Sequence, residues 1–182
     1  TLPSLSSIAS ALYLAGGPNG LGTIRDIRLY RNNKLISTLD VYDYIMTGNF
    51  ANNVRLEDND VIIVKPYSNF VTIAGGVKRP MQYEMKDGET LADLFRYSGG
   101  FTNGAYTGAV QVDRRKADAN IDGPVSQTFN VEESDFATFV LKDGDAVSVR
   151  TNNDRFTNKV SISGPVWRPG SYSITDTLQT LK

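Results

Sequence analysis

The sequence predicts an α+β fold built as a tandem array of small β-rich units, each with one short helix, and three recurrences predict it. The run Val71-Thr-Ile73-Ala-Gly75-Gly-Val77-Lys-Arg79-Pro80-Met-Gln-Tyr83 returns 89 residues on (71 to 160) as Val160-Ser-Ile162-Ser-Gly164-Pro-Val166-Trp-Arg168-Pro169-Gly-Ser-Tyr172. Ser7–Gly17 returns as Thr90–Gly100, a shift of 83 (7 to 90) that also carries Ile27, Leu29 and Arg31 onto Val110, Val112 and Arg114. Leu56–Val64, with Asp58 and Asp60, returns as Leu141–Val149, with Asp143 and Asp145, at a shift of 85 (56 to 141). A near-constant period marks repeated units, and short insertions account for the drift.

Each unit therefore reads as hairpin, helix, strand, variable connection, acidic turn and final strand. In the hairpin, Val71 and Ile73, like Val160 and Ile162, alternate with less apolar residues, the period of a half-buried strand. Pro169-Gly170 suits the centre of a type II turn, and Met81 in place of that glycine implies another turn type in the earlier copy. Leu91, Leu94 and Phe95 form one helical stripe, Thr90 caps it with Asp93 at the third position, and Gly99-Gly100 supplies a left-handed stop; Ser7, Ile8, Ala11, Leu12 and Gly16 do the same earlier. Asp58-Asn-Asp60 and Asp143-Gly-Asp145 form tight turns that launch apolar strands. Tyr83 and Tyr172 recur at one place and are expected to pack structurally, whereas Tyr67, Tyr97 and Tyr106 fit core or surface.

The expected units are 1–67, without its opening hairpin, 68–151, complete, and 156–182, which stops at Thr177-Leu178-Gln-Thr-Leu181-Lys182 where a helix should start. The chain is accordingly expected to be a fragment of a longer protein.

With 182 residues, 40% of them hydrophobic, the chain can bury a sizeable core, although one such unit is small enough to lean on its neighbours. Nineteen basic side chains against twenty acidic ones, without a basic cluster, argue against a nucleic-acid partner. The absence of histidine and cysteine removes imidazole acid–base chemistry, thiol nucleophiles and the usual transition-metal ligands, so neither an enzyme nor a metal or cofactor site is expected. No apolar stretch is long enough to span a membrane as a helix.

Three motifs suggest chemistry and have plainer readings. Gly17-Pro-Asn-Gly20-Leu-Gly22 looks like a phosphate cradle but follows a helix, whereas a dinucleotide loop follows a strand, so it reads as a turn. Asp118-Ala-Asn120-Ile-Asp122-Gly123 begins like a calcium loop, but Phe129 stands where the bidentate Glu belongs, leaving a solvated loop as the first reading and a weak cation site as the second. Asp58/Asp60 and Asp143/Asp145 lie two residues apart on turns, poor geometry for the facing carboxyls of a glycosidase. The remaining candidates are the hairpin tips, Arg79-Pro80 and Trp167-Arg168-Pro169. An exposed Arg is commonly only a solvated cation. Its recurrence, and the indole beside it in one copy, favour a ligand or interface site.

The runs V-x-I-x-G-x-V-x-R-P at Val71–Pro80 and Val160–Pro169, T-L-A-D-L-F with Gly99-Gly100, L-K-D-G-D-A-V at Leu141–Val147 and the stretch Met46–Ile62 resemble the soluble-ligand-binding β-grasp (SLBB) domains of bacterial outer-membrane polysaccharide export proteins. The resemblance spans nearly the whole chain. It implies tandem β-grasp domains, each a mixed sheet curled around a short helix, on the periplasmic side of the outer membrane. It also implies capsular or exopolysaccharide as ligand, other protomers of a homo-oligomeric ring as partners, and an inner-membrane export partner. The alternative within the same domain type is a soluble small-ligand receptor without a pore. The family's amino-terminal export domain and membrane-spanning end have no counterpart here, and Met81 departs from its usual glycine.

Overall fold

The computed structural model of the chain describes residues 6–117, 124–152 and 158–174. The chain divides into two compact units, Thr1–Thr151 and Asn152–Lys182. In the first unit the order is α1 (Ile8–Leu14), β1 (Gly22–Arg31), β2 (Lys34–Leu39), α2 (Val41–Thr47), β3 (Val61–Pro66), β4 (Asn69–Gly75), β5 (Met81–Met85), α3 (Leu91–Ser98), β6 (Ala109–Ala117), β7 (Pro124–Glu132), a 3₁₀ turn at Glu133–Asp135 and β8 (Ala146–Val149). The second unit contains the hairpin β9 (Lys159–Ile162) and β10 (Gly170–Ser173). Among the described residues no helix is long and apolar enough to cross a membrane.

Helices α1 and α3 lie where the apolar stripes put them. Ser7 and Ser10, and Thr90 and Asp93, satisfy each other's backbone N–H groups as reciprocal capping boxes. Both helices stop alike: Gly17 N–H donates to Leu12 O and Gly100 N–H to Phe95 O, each at 2.8 Å, with all four paired glycines at positive φ.

Three strands form one sheet, in the order β2-β1-β3, and five form another, β5-β4-β8-β6-β7. The second is mixed, because β4 and β8 run parallel. The first departs from expectation: both of its pairings are antiparallel. The parallel pair of the second sheet is made by a strand of its opening hairpin, and among the described residues the first sheet contains no such hairpin. Two buried clusters match the sheets, one around Ile8, Ile27, Leu29 and Leu39, the other running from Val71 to Val149 with Leu91, Leu94 and Phe95 at its centre.

Pairing is the same at matched positions. Arg28–Ile63, Leu29–Ile62 and Tyr30–Val61 in the first sheet correspond, at shifts of 83 and 85, to Gln111–Ser148, Val112–Val147 and Asp113–Ala146 in the second. A buried clamp accompanies each. Asp60 accepts from Arg31 Nε and Nη2 at 2.8 and 2.9 Å and from Glu57 N–H at 2.8 Å, while Arg31 Nη2 also donates to Arg55 O at 3.2 Å. Asp145 accepts from Arg114 Nε and Nη2 at 2.8 and 2.6 Å and from Lys142 N–H at 2.9 Å, while Arg114 Nη2 donates to Val140 O at 3.1 Å. The second carboxylate of each acidic turn thus fixes the turn to the central strand, a bidentate pairing that only guanidinium geometry provides.

The hairpins also match, but their turns correct the sequence reading. Val71–Tyr83, Thr72–Gln82 and Ile73–Met81 pair in one; Val160–Tyr172, Ser161–Ser171 and Ile162–Gly170 pair in the other. Gly170 is therefore a strand residue and is not among the glycines of positive φ, so Pro169-Gly170 makes no type II turn. The backbone reverses at Gly75 (φ 90) and Gly164 (φ 108), with Val77 N–H on Gly75 O and Val166 N–H on Gly164 O, each at 2.8 Å. Met81 is tolerated because its position asks only for extended backbone. The calcium-like loop Asp118–Gly123 and the helix expected after Thr177 lie outside the described residues.

Two predictions follow from these contacts. A Cβ on Gly75 would stand 2.0 Å from the Val149 carbonyl oxygen, at a φ that side chains rarely adopt, so Gly75→Ala is expected to cost about 3 kcal/mol or more in urea unfolding. The Arg31 hydrogen bond, then the Glu57 N–H, hold the Asp60 carboxyl down from 3.8 to about 2. Since the folded value is the lower one, the clamp stabilises fully above the unfolded value and is lost as pH falls through about 2. Acid titration of unfolding should be less steep in Asp60→Asn over that window; an unchanged slope would contradict the clamp.

Candidate functional site

The two hairpin tips present the cations singled out in the sequence. At the first, Lys78 N–H donates to Gly100 O at 3.0 Å and Arg79 N–H to Ser98 O at 3.1 Å, so the tip supplies donors to the carboxyl end of α3. Tyr83 Oη donates to Arg79 O at 2.9 Å. The backbone is therefore pinned while the Arg79 side chain and Pro80 remain exposed. The guanidinium lies across Gly99, where a Cβ would stand 3.4 Å from Nε and Nη2.

The second tip repeats the fastening. Tyr172 Oη donates to Arg168 O at 2.6 Å. Trp167 is fully exposed, and Arg168 and Pro169 are exposed beside it. Structure thus brings Trp167, Arg168 and Pro169 together on one tip and Arg79 with Pro80 on the other; Tyr83 packs in the core as expected, whereas Tyr172 is 41% exposed and shares only the hydroxyl bond.

Residues not singled out as candidates complete the first tip. Arg79 shares a pocket of about 390 Å³ with Tyr42, Asp43, Arg96 and Tyr97. Arg96 Nη2 bonds Asp93 Oδ1 at 3.0 Å and its guanidinium centre lies 5.1 Å from the Tyr97 ring centroid. The two guanidiniums and the Thr47 hydroxyl can hydrogen-bond a hydroxylated or carboxylated ligand, while Asp43 sets an opposing charge and Ile45 and Met46 add apolar wall. Arg96 carries no recurrence signal, because its counterpart in the first helix is Tyr13.

A second concavity, of about 510 Å³, lies beside α1 and is walled by Leu12, Tyr13, Ile24, Ile27, Tyr44 and Ile45 among others. Its volume falls in the range of small-molecule sites.

Deep between these features sits Arg25, 3% exposed. Its Nε bonds both Asp40 oxygens at 2.9 and 3.0 Å; Nη1 bonds Glu84 O at 3.0 Å and Glu89 Oε2 at 3.2 Å; Nη2 bonds Glu89 Oε1 at 2.8 Å and Tyr97 Oη at 3.2 Å. The Tyr42 and Tyr97 rings lie 4.3 and 5.0 Å from its guanidinium centre. Burial presses its pKa down, but the Glu89 hydrogen bond and the Asp40 and Glu89 charges outweigh that and hold it above its ordinary value. Glu84, itself buried, accepts from Thr23 Oγ1 and from Ile24 N–H. This cluster is structural: every strong donor of Arg25 ends on protein.

The other motifs also resolve into structure. Gly17–Gly22 connects α1 to β1, with Leu21 N–H on Asn19 Oδ1 at 3.1 Å and Gly22 N–H on Asn19 O at 2.9 Å, a turn leading into a strand. Asp143 Oδ1 accepts from Phe70 N–H at 2.8 Å. Tyr97 is core, Tyr67 packs at a tilt against Phe70 with ring centroids 4.1 Å apart, and Tyr106 is 46% exposed.

No curated protein matches the chain. Residues 70–129, which run from the opening hairpin through α3 and β6 into β7, match the family model of the SLBB domain.

Proposed function

We propose that the chain is a non-enzymatic module of a bacterial polysaccharide export protein, made of β-grasp units at 1–67 and 68–151 and the start of a third at 156–182. It acts on the periplasmic side of the outer membrane, where it contributes subunit packing and contacts to capsular or exopolysaccharide. The SLBB match supports a binding module. Matched strand registers, Arg–Asp clamps and helix stops support extending that unit toward the amino terminus, and the matched hairpin register supports extending it toward the carboxyl terminus.

One observation carries the glycan part of the reading: the same tip occurs twice, its backbone fastened by the same tyrosine bond and its cation in solvent each time. The fixed backbone removes the main-chain part of the ordering cost on binding a carboxylated sugar, leaving the Arg rotamers to be ordered against a charge-assisted hydrogen bond. Trp167 adds an indole face against which a pyranose ring can lie. The apolar pocket beside α1 favours a second reading, a small-ligand receptor of the same domain type.

Calorimetric titration with a hexuronate-containing oligosaccharide separates the two. Trp167→Ala with Arg168→Ala should weaken binding by about 2 kcal/mol, roughly 30-fold. Unchanged affinity would overturn the role of the tips. Loss of binding on filling the α1 pocket with Ala9→Phe, with the tips dispensable, would favour the receptor.

A further inference from the structure

The two sheets fill one place beside their helices differently. In the second, Phe95, Phe101 and Phe136 pack as a trio, Phe95 lying 4.4 Å from Phe101 and 5.1 Å from Phe136 between ring centroids. At the shift of 83 the first two correspond to Leu12 and Pro18, and at the shift of 85 the third corresponds to Ala51, which is exposed. Three phenyl rings in one sheet are thus matched by a leucine, a proline and an outlying methyl group in the other.

Hydrogen bonds at the two helix starts support the correspondence and locate the change. Leu91 N–H donates to Phe139 O as Ile8 N–H does to Val54 O, and Leu141 N–H donates to Glu89 O as Leu56 N–H does to Ser6 O. Between these bonds the match breaks. Ala92 N–H ends on Phe136 O at 2.9 Å, whereas Ala9 N–H ends on the side chain of Asn53, Oδ1 at 3.0 Å. Because that amide oxygen satisfies the donor, the backbone of residue 51 need not come close to the helix, and no ring is carried there.

The α1 pocket of about 510 Å³ takes that place. Ala9, Leu12 and Pro18 line it, the counterparts of Ala92, Phe95 and Phe101. Its strand residues, Ile24, Ile27 and Leu39, belong to β1 and β2, so it lies on the β2 side of α1 and away from the β3 edge. Helix α2 supplies the facing wall with Tyr44, whose ring is held edge-on to Phe50 at 4.9 Å. No Asp, Glu, Lys or Arg lines it. Its polar side chains are hydroxyls, and those of Ser7 and Ser10 are engaged in the cap of α1, which leaves the phenols of Tyr13 and Tyr44 as handles.

We propose that this pocket binds a small uncharged molecule carrying a planar aromatic ring, seated where the phenylalanine trio packs in the second sheet. A charged ligand would lose its hydration there against no opposite charge. An aromatic ring gains edge-to-face contact with the tyrosine walls that an aliphatic body of equal size does not, a preference of about fivefold. A phenolic hydroxyl at the mouth can accept from or donate to one polar atom of the ligand. The inference rests on the small-ligand reading of this pocket and deepens it; the hairpin tips play no part in it.

Heteronuclear NMR titration of the full chain with indole, cyclooctanol and phenylacetate tests it, the three probes being similar in size but aromatic, aliphatic and anionic. Indole should bind with a Kd of about 1 mM or tighter and shift the amides of Ala9, Leu12 and Tyr44. Cyclooctanol should bind about fivefold more weakly and phenylacetate at least about tenfold more weakly. Leu12→Phe with Pro18→Phe restores two of the three rings and should weaken indole binding at least about tenfold, as the filled pocket excludes it. Tyr44→Leu, which leaves α1 and its stop untouched, should weaken it about fivefold while sparing cyclooctanol.

Cyclooctanol binding at these residues as tightly as indole would overturn the aromatic assignment and leave the small-ligand reading standing. Indole binding indifferent to both variants would overturn the site. Failure of all three probes to bind up to about 5 mM would overturn the inference together with the reading it rests on.

Discussion

The buried Arg25 guanidinium is the constraint on which the first 151 residues depend. It rises from β1, in the first sheet, and ends on Glu84 O, within β5 of the second sheet's hairpin, and on Glu89, which lies between β5 and α3. Asp40, the cap of α2, closes the near side, and Lys86 bonds the same carboxylate. Two sheets with separate cores would otherwise meet through few contacts, and a buried charge tolerates no slack, because each unmatched donor would carry its full desolvation cost. The fold therefore gains fixed geometry here more than net stability.

Much downstream geometry inherits that rigidity. Tyr97, held by Arg25 and by Glu89, forms a wall of the pocket that Arg79 overhangs. Tyr42 reaches over from α2 to accept Glu84 N–H at 3.0 Å and to pack its ring edge-on against Tyr97 at 5.0 Å. The first tip is thus assembled from both halves of the unit, so the binding role proposed for Arg79 draws on the pair of sheets and not on one hairpin.

The recurring sequence stretches made most of the fold legible. Capping residues, paired glycines and alternating runs each have a local physical cause, so Ser7, Thr90, Gly16 and Gly99 placed both helices before any contact was known. The recurrence of Arg31 as Arg114, and of Asp60 as Asp145, was visible as spacing, although their pairing was not. Other features depend on tertiary context. Pro169-Gly170 satisfies turn statistics, yet the reversal happens earlier, at Gly164, because the matched Gly75 must pass close to a neighbouring strand. Helix α2, in a connection read only as variable, has an Asp40 cap and a left-handed Gly48 that a closer reading of local signals would have found. Arg25 lies on the alternation of Thr23, Ile27 and Leu29, which marks it for burial, but apart from Asp40 its partners Glu84, Glu89 and Tyr97 are 59, 64 and 72 residues away along the chain and no period points to them. The cluster was therefore hidden, whereas the exposed tips were the easiest candidates to read.

Differential scanning calorimetry of the full chain, wild type against Arg25→Met, tests the central claim that the Arg25 cluster makes the two sheets one cooperative body. Breaking such a buried pair typically costs about 3–5 kcal/mol. The account predicts one transition for both cores in the wild type, with equal calorimetric and van't Hoff enthalpies, and two separated transitions in the variant. Two transitions already present in the wild type, or a single transition unmoved by Arg25→Met, would contradict it.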